Sequence, residues 1–272
     1  MMAWLLLPLA LAVWFSFRYA WWRPAVSDRY PRILMYHMVR EHRAGQKFNG
    51  LRVTPRRFER QLRWLQRHGW QSYTVSELVR AGDRLPDRGV AITFDDGFAD
   101  NCLQALPILQ KYGMKATLYL VVDRHDREWS AHKKAHHDSG ELRSEPKLTD
   151  EQVRLMLASG LVELGSHTVT HPNFLSLSRE ERETELRDSK RELETRFGVA
   201  VNSFAYPFGL FRVEDPELVR AAGYTSAVTT EAGIETDLSK RPFTLRRVKI
   251  SGKDNMPAFV MRMRGGRRGW NK

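Results

Sequence analysis

The chain has 272 residues, 42% of them hydrophobic, enough for one large domain or two small ones with a real core. Its 44 Lys and Arg against 32 Asp and Glu give a net charge of +12, which suits an anionic partner. No zinc-finger or ribonucleoprotein signature accompanies that charge, so nucleic acid is not expected, and the single cysteine, Cys102, excludes an intramolecular disulfide and a cysteine-based zinc site.

Residues 1–17 are almost wholly apolar and lead into Arg18, Tyr19, Trp21, Trp22 and Arg23. Counted through Trp22, the stretch approaches the roughly 20 residues that span a bilayer, and the aromatic cluster beside arginines resembles an interfacial belt. It has no charged n-region, and Trp21-Trp22-Arg23-Pro24 is a poor cleavage context. We therefore expect a retained transmembrane helix, a membrane anchor over 1–23. A linker over 24–31 would follow, then a folded domain over 32–255. Arg18, Arg23, Arg29 and Arg32 all lie C-terminal to the apolar run, and the positive-inside rule then leaves the domain on the cytoplasmic side of a bacterial-type inner membrane.

From Arg32 onward strand-like and helix-like segments alternate. Ile33 to Val39 reads as a first strand, and Thr54-Pro55 opens a helix with an apolar face at Phe58, Leu62 and Leu65. Val90 to Phe94 is a buried strand ending in Asp95-Asp96-Gly97, followed by a helix over about 98–112 that carries Cys102 as a small buried residue. Residues 123–147 break the pattern as a polar insertion with His125, His132, His136 and His137. We read it as a solvated basic loop rather than a second metal site, because its spacing suggests no cage. Capping boxes at Thr149 and Ser178 open two more helices. The strand at 161–164 delivers His167 and His171, and the strand at 203–206 ends in Pro207-Phe208-Gly209. The end of the chain, 256–272, with Arg262, Arg264, Arg267, Arg268 and Lys272, reads as a flexible basic tail. Anionic lipid headgroups would be a further partner for it, at about 1 kcal/mol per basic residue.

Alternation implies parallel strands with helices outside. The reactive groups all follow strand ends, and a barrel brings such loops to one face, so a barrel is favoured over an open doubly wound sheet. Two adjacent carboxylates repel unless a cation or proton lies between them. One carboxylate with two imidazoles at i and i+4 makes a ligand set with open positions that suits zinc or a similar divalent metal, leaving the second carboxylate free to act as a base.

Thr93-Phe94-Asp95-Asp96-Gly97 and His167-Thr168-Val169-Thr170-His171 resemble the first two motifs of the polysaccharide deacetylases, the NodB-homology enzymes of carbohydrate esterase family 4. Phe204-Ala205-Tyr206-Pro207-Phe208-Gly209 resembles the third. Leu34-Met35-Tyr36-His37 is similar to the branch that deacetylates poly-N-acetylglucosamine. The resemblance covers about residues 30 to 250. It implies a distorted (β/α)7 barrel and hydrolysis of an N-acetyl, occasionally O-acetyl, group on a sugar. Asp95 would be the general base. Asp96, His167 and His171 would hold a divalent metal, Zn2+ first, with Co2+ or Ni2+ as alternatives. The backbone N–H of Phe208 would help hold the oxyanion, and Tyr206 and Pro207 would lie near substrate. The resemblance also implies a domain on the periplasmic side of the membrane, against the cytoplasmic side that the arginine distribution favours.

Two departures from the family pattern matter. No histidine follows His171, so the acid for the leaving amine must come from upstream, and His37 is the candidate. Ala205 stands where many members carry an arginine that orients the base, so Arg246 or Arg247 on the last strand becomes the candidate for that role. The expected substrate is an acetylated glycan: an N-acetylhexosamine in a polysaccharide, a lipopolysaccharide or a lipid-linked precursor. The alternatives are a catalytically inactive glycan-binding protein on the same fold and a receiver-like magnesium-binding domain, which would need an open sheet.

Overall fold

The structure, a computed structural model, describes residues 3–125 and 140–269 and, in the first helix, the side chains from Pro8 onward. Helix α1 (Ala3–Tyr19) precedes strand β1 (Arg32–Tyr36). A short parallel pair follows, β2 (Met38–Val39) and β3 (Arg52–Val53), then α2 (Pro55–Arg67), β4 (Gln71–Tyr73) and α3 (Val75–Ala81). Next come β5 (Gly89–Phe94), a π-helical turn at Asn101–Ala105 running into α4 (Leu106–Tyr112), β6 (Ala116–Leu120), α5 (Asp150–Ala158), β7 (Val162–Ser166) and α6 (Arg179–Phe197). The chain ends with β8 (Ser203–Ala205), α7 (Asp215–Ala221), β9 (Ser226–Ala232), β10 (Leu245–Lys249) and α8 (Met256–Gly265). Side-chain caps set several helix starts: Thr54 accepts from Arg57 N ahead of Pro55, and reciprocal capping boxes form at Thr74, Thr149 and Ser178.

Seven strands close a ring in the order β1-β10-β9-β8-β7-β6-β5, and β5 pairs back to β1. Every pairing around it is parallel. The ring is the expected barrel, and it excludes the open sheet that a receiver-like domain requires. β4 pairs with the first half of β5, outside the ring.

Strand parity divides the side chains. Leu34, Tyr36, Ile92, Phe94 and Leu118 face outward into the layer shared with the helices, where Phe58, Leu62 and Leu186 meet them. Ile33, Ala91, Tyr119, Ala205, Val228 and Leu245 fill the interior of the barrel. Gly165 is required there, because a Cβ on it would lie 2.6 Å from the Tyr119 ring. Following the inward parity up each strand leads to reactive groups: Ile33 and Met35 to His37, Ala91 and Thr93 to Asp95, Gly165 to His167, Leu245 to Arg247.

Two expectations are corrected. Among the described residues no helix is long and apolar enough to cross a membrane. α1 has 17 residues, about 26 Å at 1.5 Å per residue, against about 30 Å of hydrocarbon. Its end is set at Ala20, in the left-handed region at φ 46°. Tyr19 is buried there, its hydroxyl 3.1 Å from Asn255 Oδ1, so Trp21 and Trp22 lie beyond the helix. The expected flexible tail is likewise a packed helix up to Gly265. Asn255 caps α8, Phe259 and Met263 are buried, and Arg262 and Arg268 both donate to the buried carboxylate of Asp254, at 2.6 and 2.7 Å. Those two arginines serve the fold, not a lipid surface. Within the insertion, His132, His136 and His137 lie outside the described residues and His125 is exposed.

Phe259 is fully buried, edge-on to Trp64 at 5.7 Å. Phe259→Ala should therefore lower the unfolding free energy by about 3–5 kcal/mol. An unchanged denaturation midpoint in urea would show that α8 is not part of the core.

Candidate active site

A cavity of about 350 Å³ opens at the C-terminal ends of the barrel strands, walled by His37, Asp95, Asp96, His167 and His171. A larger cavity of about 440 Å³, lined by Tyr30, Leu85 and Glu235 among others, contains none of these groups. His167 Nε2 lies 3.4 Å and His171 Nε2 3.6 Å from Asp96 Oδ1. Ligands bonded at about 2.1 Å around a tetrahedral ion lie about 3.4 Å apart, so this spacing already fits one. His167 Nδ1 is 2.7 Å from the Ala205 carbonyl, which can only accept. The proton therefore sits on Nδ1, and the Nε2 lone pair faces Asp96. Among the described residues this is the one group of three or more His, Cys, Asp or Glu residues placed to share an ion. Its carboxylate and imidazole donors suit zinc or a neighbouring divalent metal.

The backbone at this site is strained. Asp96, Thr168, His171 and Phe208 all have left-handed φ, at 74°, 72°, 52° and 57°. Each costs about 1–2 kcal/mol, and the β-branched Thr168 is the most unusual of them. Outliers of this kind cluster at functional sites. Pro207 opens the short turn Pro207–Gly209 that holds Phe208, whose ring lies 4.6 Å from that of His171.

Asp95 is 2% exposed and makes a two-pronged ion pair with Arg247, Nη1 to Oδ1 and Nη2 to Oδ2, both at 2.7 Å. Arg247 also donates to Thr93 Oγ1 at 3.0 Å and to the Thr229 carbonyl at 2.8 Å. Burial pushes the Asp95 carboxyl up, but the guanidinium more than offsets this and holds it below the ordinary value. Burial pushes the Asp96 carboxyl up as well, but the facing imidazoles of His167, His37 and His171 more than offset this and hold it well below the ordinary carboxylate range. Arg246, the other candidate, points outward and pairs with the exposed Glu231 at 2.8 Å. Tyr206 borders the cavity, but its ring is stacked on Phe211 at 4.7 Å within the outer core. Among the described residues no hydrogen bond reaches its hydroxyl, so it packs in the core and does not hold Asp95.

Sequence reasoning missed the supports behind these groups. Asp100 Oδ1 accepts from Val39 N at 2.7 Å, and Asn101 Nδ2 donates to the His37 carbonyl at 2.9 Å, so the turn after the acidic pair anchors the His37 stretch. Phe48, Leu51 and Leu142 form an apolar wall. Buried Arg52 bridges Glu141 and Glu145 at 2.7 Å each and so ties both sides of that wall. Glu185 on α6 holds the loop that carries His171. The buried helical spacing of Arg182, Leu186 and Ser189 is the one signal that could have placed Glu185 near an inward face.

The family described as Polysaccharide deacetylase matches residues 82–227, more than half of the chain. The chain belongs to the polysaccharide deacetylase family. It is 33% identical over 243 residues to YxkH of Bacillus subtilis, covering 88% of this chain and 78% of that protein. It is 26% identical over 260 residues to poly-β-1,6-N-acetyl-D-glucosamine N-deacetylase of Escherichia coli, covering 85% of this chain but 38% of that longer protein. Among solved structures it is similar to the Streptococcus pyogenes deacetylase PplD in complex with acetate, with a TM-score of 0.71, 26% identity and coverage of 88% and 99% of the two chains. Relatives in this family are carbohydrate deacetylases, hydrolases acting on carbon–nitrogen bonds. The four residues on which the sequence resemblance rests, Asp95, Asp96, His167 and His171, line one cavity here.

Arg247→Ala would leave the buried Asp95 charge unpaired. We expect a loss of about 3–5 kcal/mol of stability and a fall in deacetylation of roughly 10²-fold. Arg247→Lys, which lacks the planar fork, should not restore it. Arg246→Ala should leave both readings near wild type, and equal effects of the two alanine variants would refute the assignment.

Burial raises the Asp100 carboxyl to about 6, against weaker lowering by the Val39 N–H and Arg40. The folded value lies above the unfolded one of about 3.9. Stability from this group is therefore full below about pH 4 and declines as the pH rises through about 6. Asp100→Asn keeps an acceptor for Val39 but cannot ionise. Relative to wild type it should gain on the order of 3 kcal/mol between pH 4 and pH 7. Parallel stability curves in guanidinium denaturation would contradict this.

Proposed function

We propose that the chain hydrolyses the N-acetyl groups of N-acetylhexosamine units in a polysaccharide, with a divalent metal held by Asp96, His167 and His171. Zinc is the first candidate. The observation that carries this reading is an Asp–His–His cradle sharing one cavity with a buried carboxylate fixed by Arg247. A cation held there would supply Lewis acidity, which lowers the pKa of water and polarises a carbonyl. Asp95 takes the proton of the attacking water. Its two-pronged pairing fixes the carboxylate in place, and it is ionised and ready to accept at neutral pH. His37 borders the same cavity and gives a proton to the departing amine. The backbone N–H of Phe208, in the tight turn Pro207–Gly209, would donate to the developing oxyanion. The wall of Phe48, Leu51 and Leu142 excludes water and covers the apolar face of a sugar ring.

The Escherichia coli relative is named for poly-β-1,6-N-acetyl-D-glucosamine, so an oligomer of that polymer is the first substrate to test. Lipopolysaccharide and lipid-linked glycans come after it. Purified protein should release acetate from the oligomer. A chelator should abolish the release and Zn2+ should restore it. Asp95→Asn should lose roughly 10²–10⁴-fold in rate while still taking up zinc. Zinc-loaded protein that binds acetylated oligomers without releasing acetate would favour the inactive glycan binder instead.

A further inference from the structure

The chain must return from His167 to His171 within four residues, with both imidazoles beside Asp96 and without forming a helix. It does so through left-handed backbone at Thr168 and His171. His167 is carried by the end of β7 and oriented by the Ala205 carbonyl. His171 has no strand beneath it, and its position depends on the loop.

That loop is held from several sides. Thr168 and Val169 offer their carbonyls to Val122 N and Asp123 N at 3.1 and 2.9 Å. Thr168 Oγ1 accepts from His171 N at 2.8 Å. The amides of Val169 and Thr170 turn the other way, toward α6. There one carboxylate oxygen of Glu185 accepts both, at 2.7 and 3.0 Å, and the other accepts from the Thr170 hydroxyl at 2.5 Å. Hydrogen bonds to an ionised acceptor are roughly twice as strong as neutral ones. Two successive N–H groups aimed at one anion also fix the backbone between them. We infer that Glu185 is a positioning residue for the metal cradle: it holds the 168–171 loop in its strained form and so sets the place of His171. The inference rests on the metal reading proposed above and adds a residue that touches neither metal nor substrate.

Outer-shell partners of metal ligands typically contribute 10- to 100-fold in affinity. Glu185→Ala should raise the dissociation constant for Co2+ by roughly that factor. It should also alter the visible spectrum of the Co2+-loaded protein, while turnover at saturating metal changes far less than affinity. Glu185→Gln, which can still accept from both amides, should recover most of the affinity, and it provides the test if the alanine variant does not fold. Glu183→Ala, which removes an exposed partner of Arg179 on the same helix, is the control and should bind Co2+ as wild type does. If Glu185→Ala folds and binds Co2+ with wild-type affinity and spectrum, the inference is overturned. Affinity for Glu185→Gln as low as for Glu185→Ala also overturns it, because the acceptor geometry would then not be what matters. Wild-type protein that takes up no Co2+ would instead overturn the metal reading itself.

Discussion

Side chains on a β-strand alternate between its two faces, and closing seven parallel strands into a ring turns that alternation into an inside and an outside. Every feature of the site follows from which residues fall on the inside. The inward rows of β1, β5, β7 and β10 end in or contain His37, Asp95, His167 and Arg247, and all of these strands run the same way. Their reactive ends therefore meet at one rim. Shifting any of these strands by one residue would exchange its inward row for the apolar row that the helices cover, so packing of the outer layer fixes the chemistry of the inner one.

The site is held under two kinds of stress, and the surrounding fold answers each. Charge is the first. Two carboxylates are buried side by side, and their ionised forms persist because Arg247 matches one and the histidines face the other. Backbone strain is the second. Four non-glycine residues at the site sit in the left-handed region, and the loop bearing two of them, Thr168 and His171, is fastened by Glu185, by the Thr168 hydroxyl and by the strand end at Val122 and Asp123. An arrangement so fastened presents Asp95 and the Asp96, His167 and His171 cradle in fixed positions, which is what the proposed hydrolysis, dominated by positioning and electrostatics, requires.

The acidic pair and the histidine pair were legible in the sequence because each follows a short apolar run and each has the residue types that an ion demands. Alternation of elements left a barrel and an open doubly wound sheet, and the reactive groups at successive strand ends favoured the barrel. The arginine that pairs with Asp95 was legible only as a choice of two. Leu245 and Val248 are both apolar and flank Arg246 and Arg247, so hydrophobicity alone does not give the parity of β10. The ring does, since it sends Leu245 and Arg247 inward. α8 was hidden by its arginines and glycines, although Phe259 and Met263 at i and i+4 mark an apolar stripe and Asn255 marks a cap. α1 reads as a spanning helix because apolar character continues past Tyr19, and composition carries no sign that Ala20 turns left-handed. Glu185 lies in a helix crowded with charges of both signs, most of them solvated, and only three-dimensional contact separates it from its neighbours.

The central claim is that one ion is shared by a single carboxylate and two imidazoles beside a carboxylate that stays off the metal. Anomalous X-ray diffraction from crystals grown with Zn2+, collected on both sides of the zinc edge, tests it directly. The account predicts one strong peak bonded to Asp96, His167 Nε2 and His171 Nε2, with both oxygens of Asp95 still on Arg247. A peak bridging Asp95 and Asp96, or zinc bound only elsewhere on the protein, would contradict it.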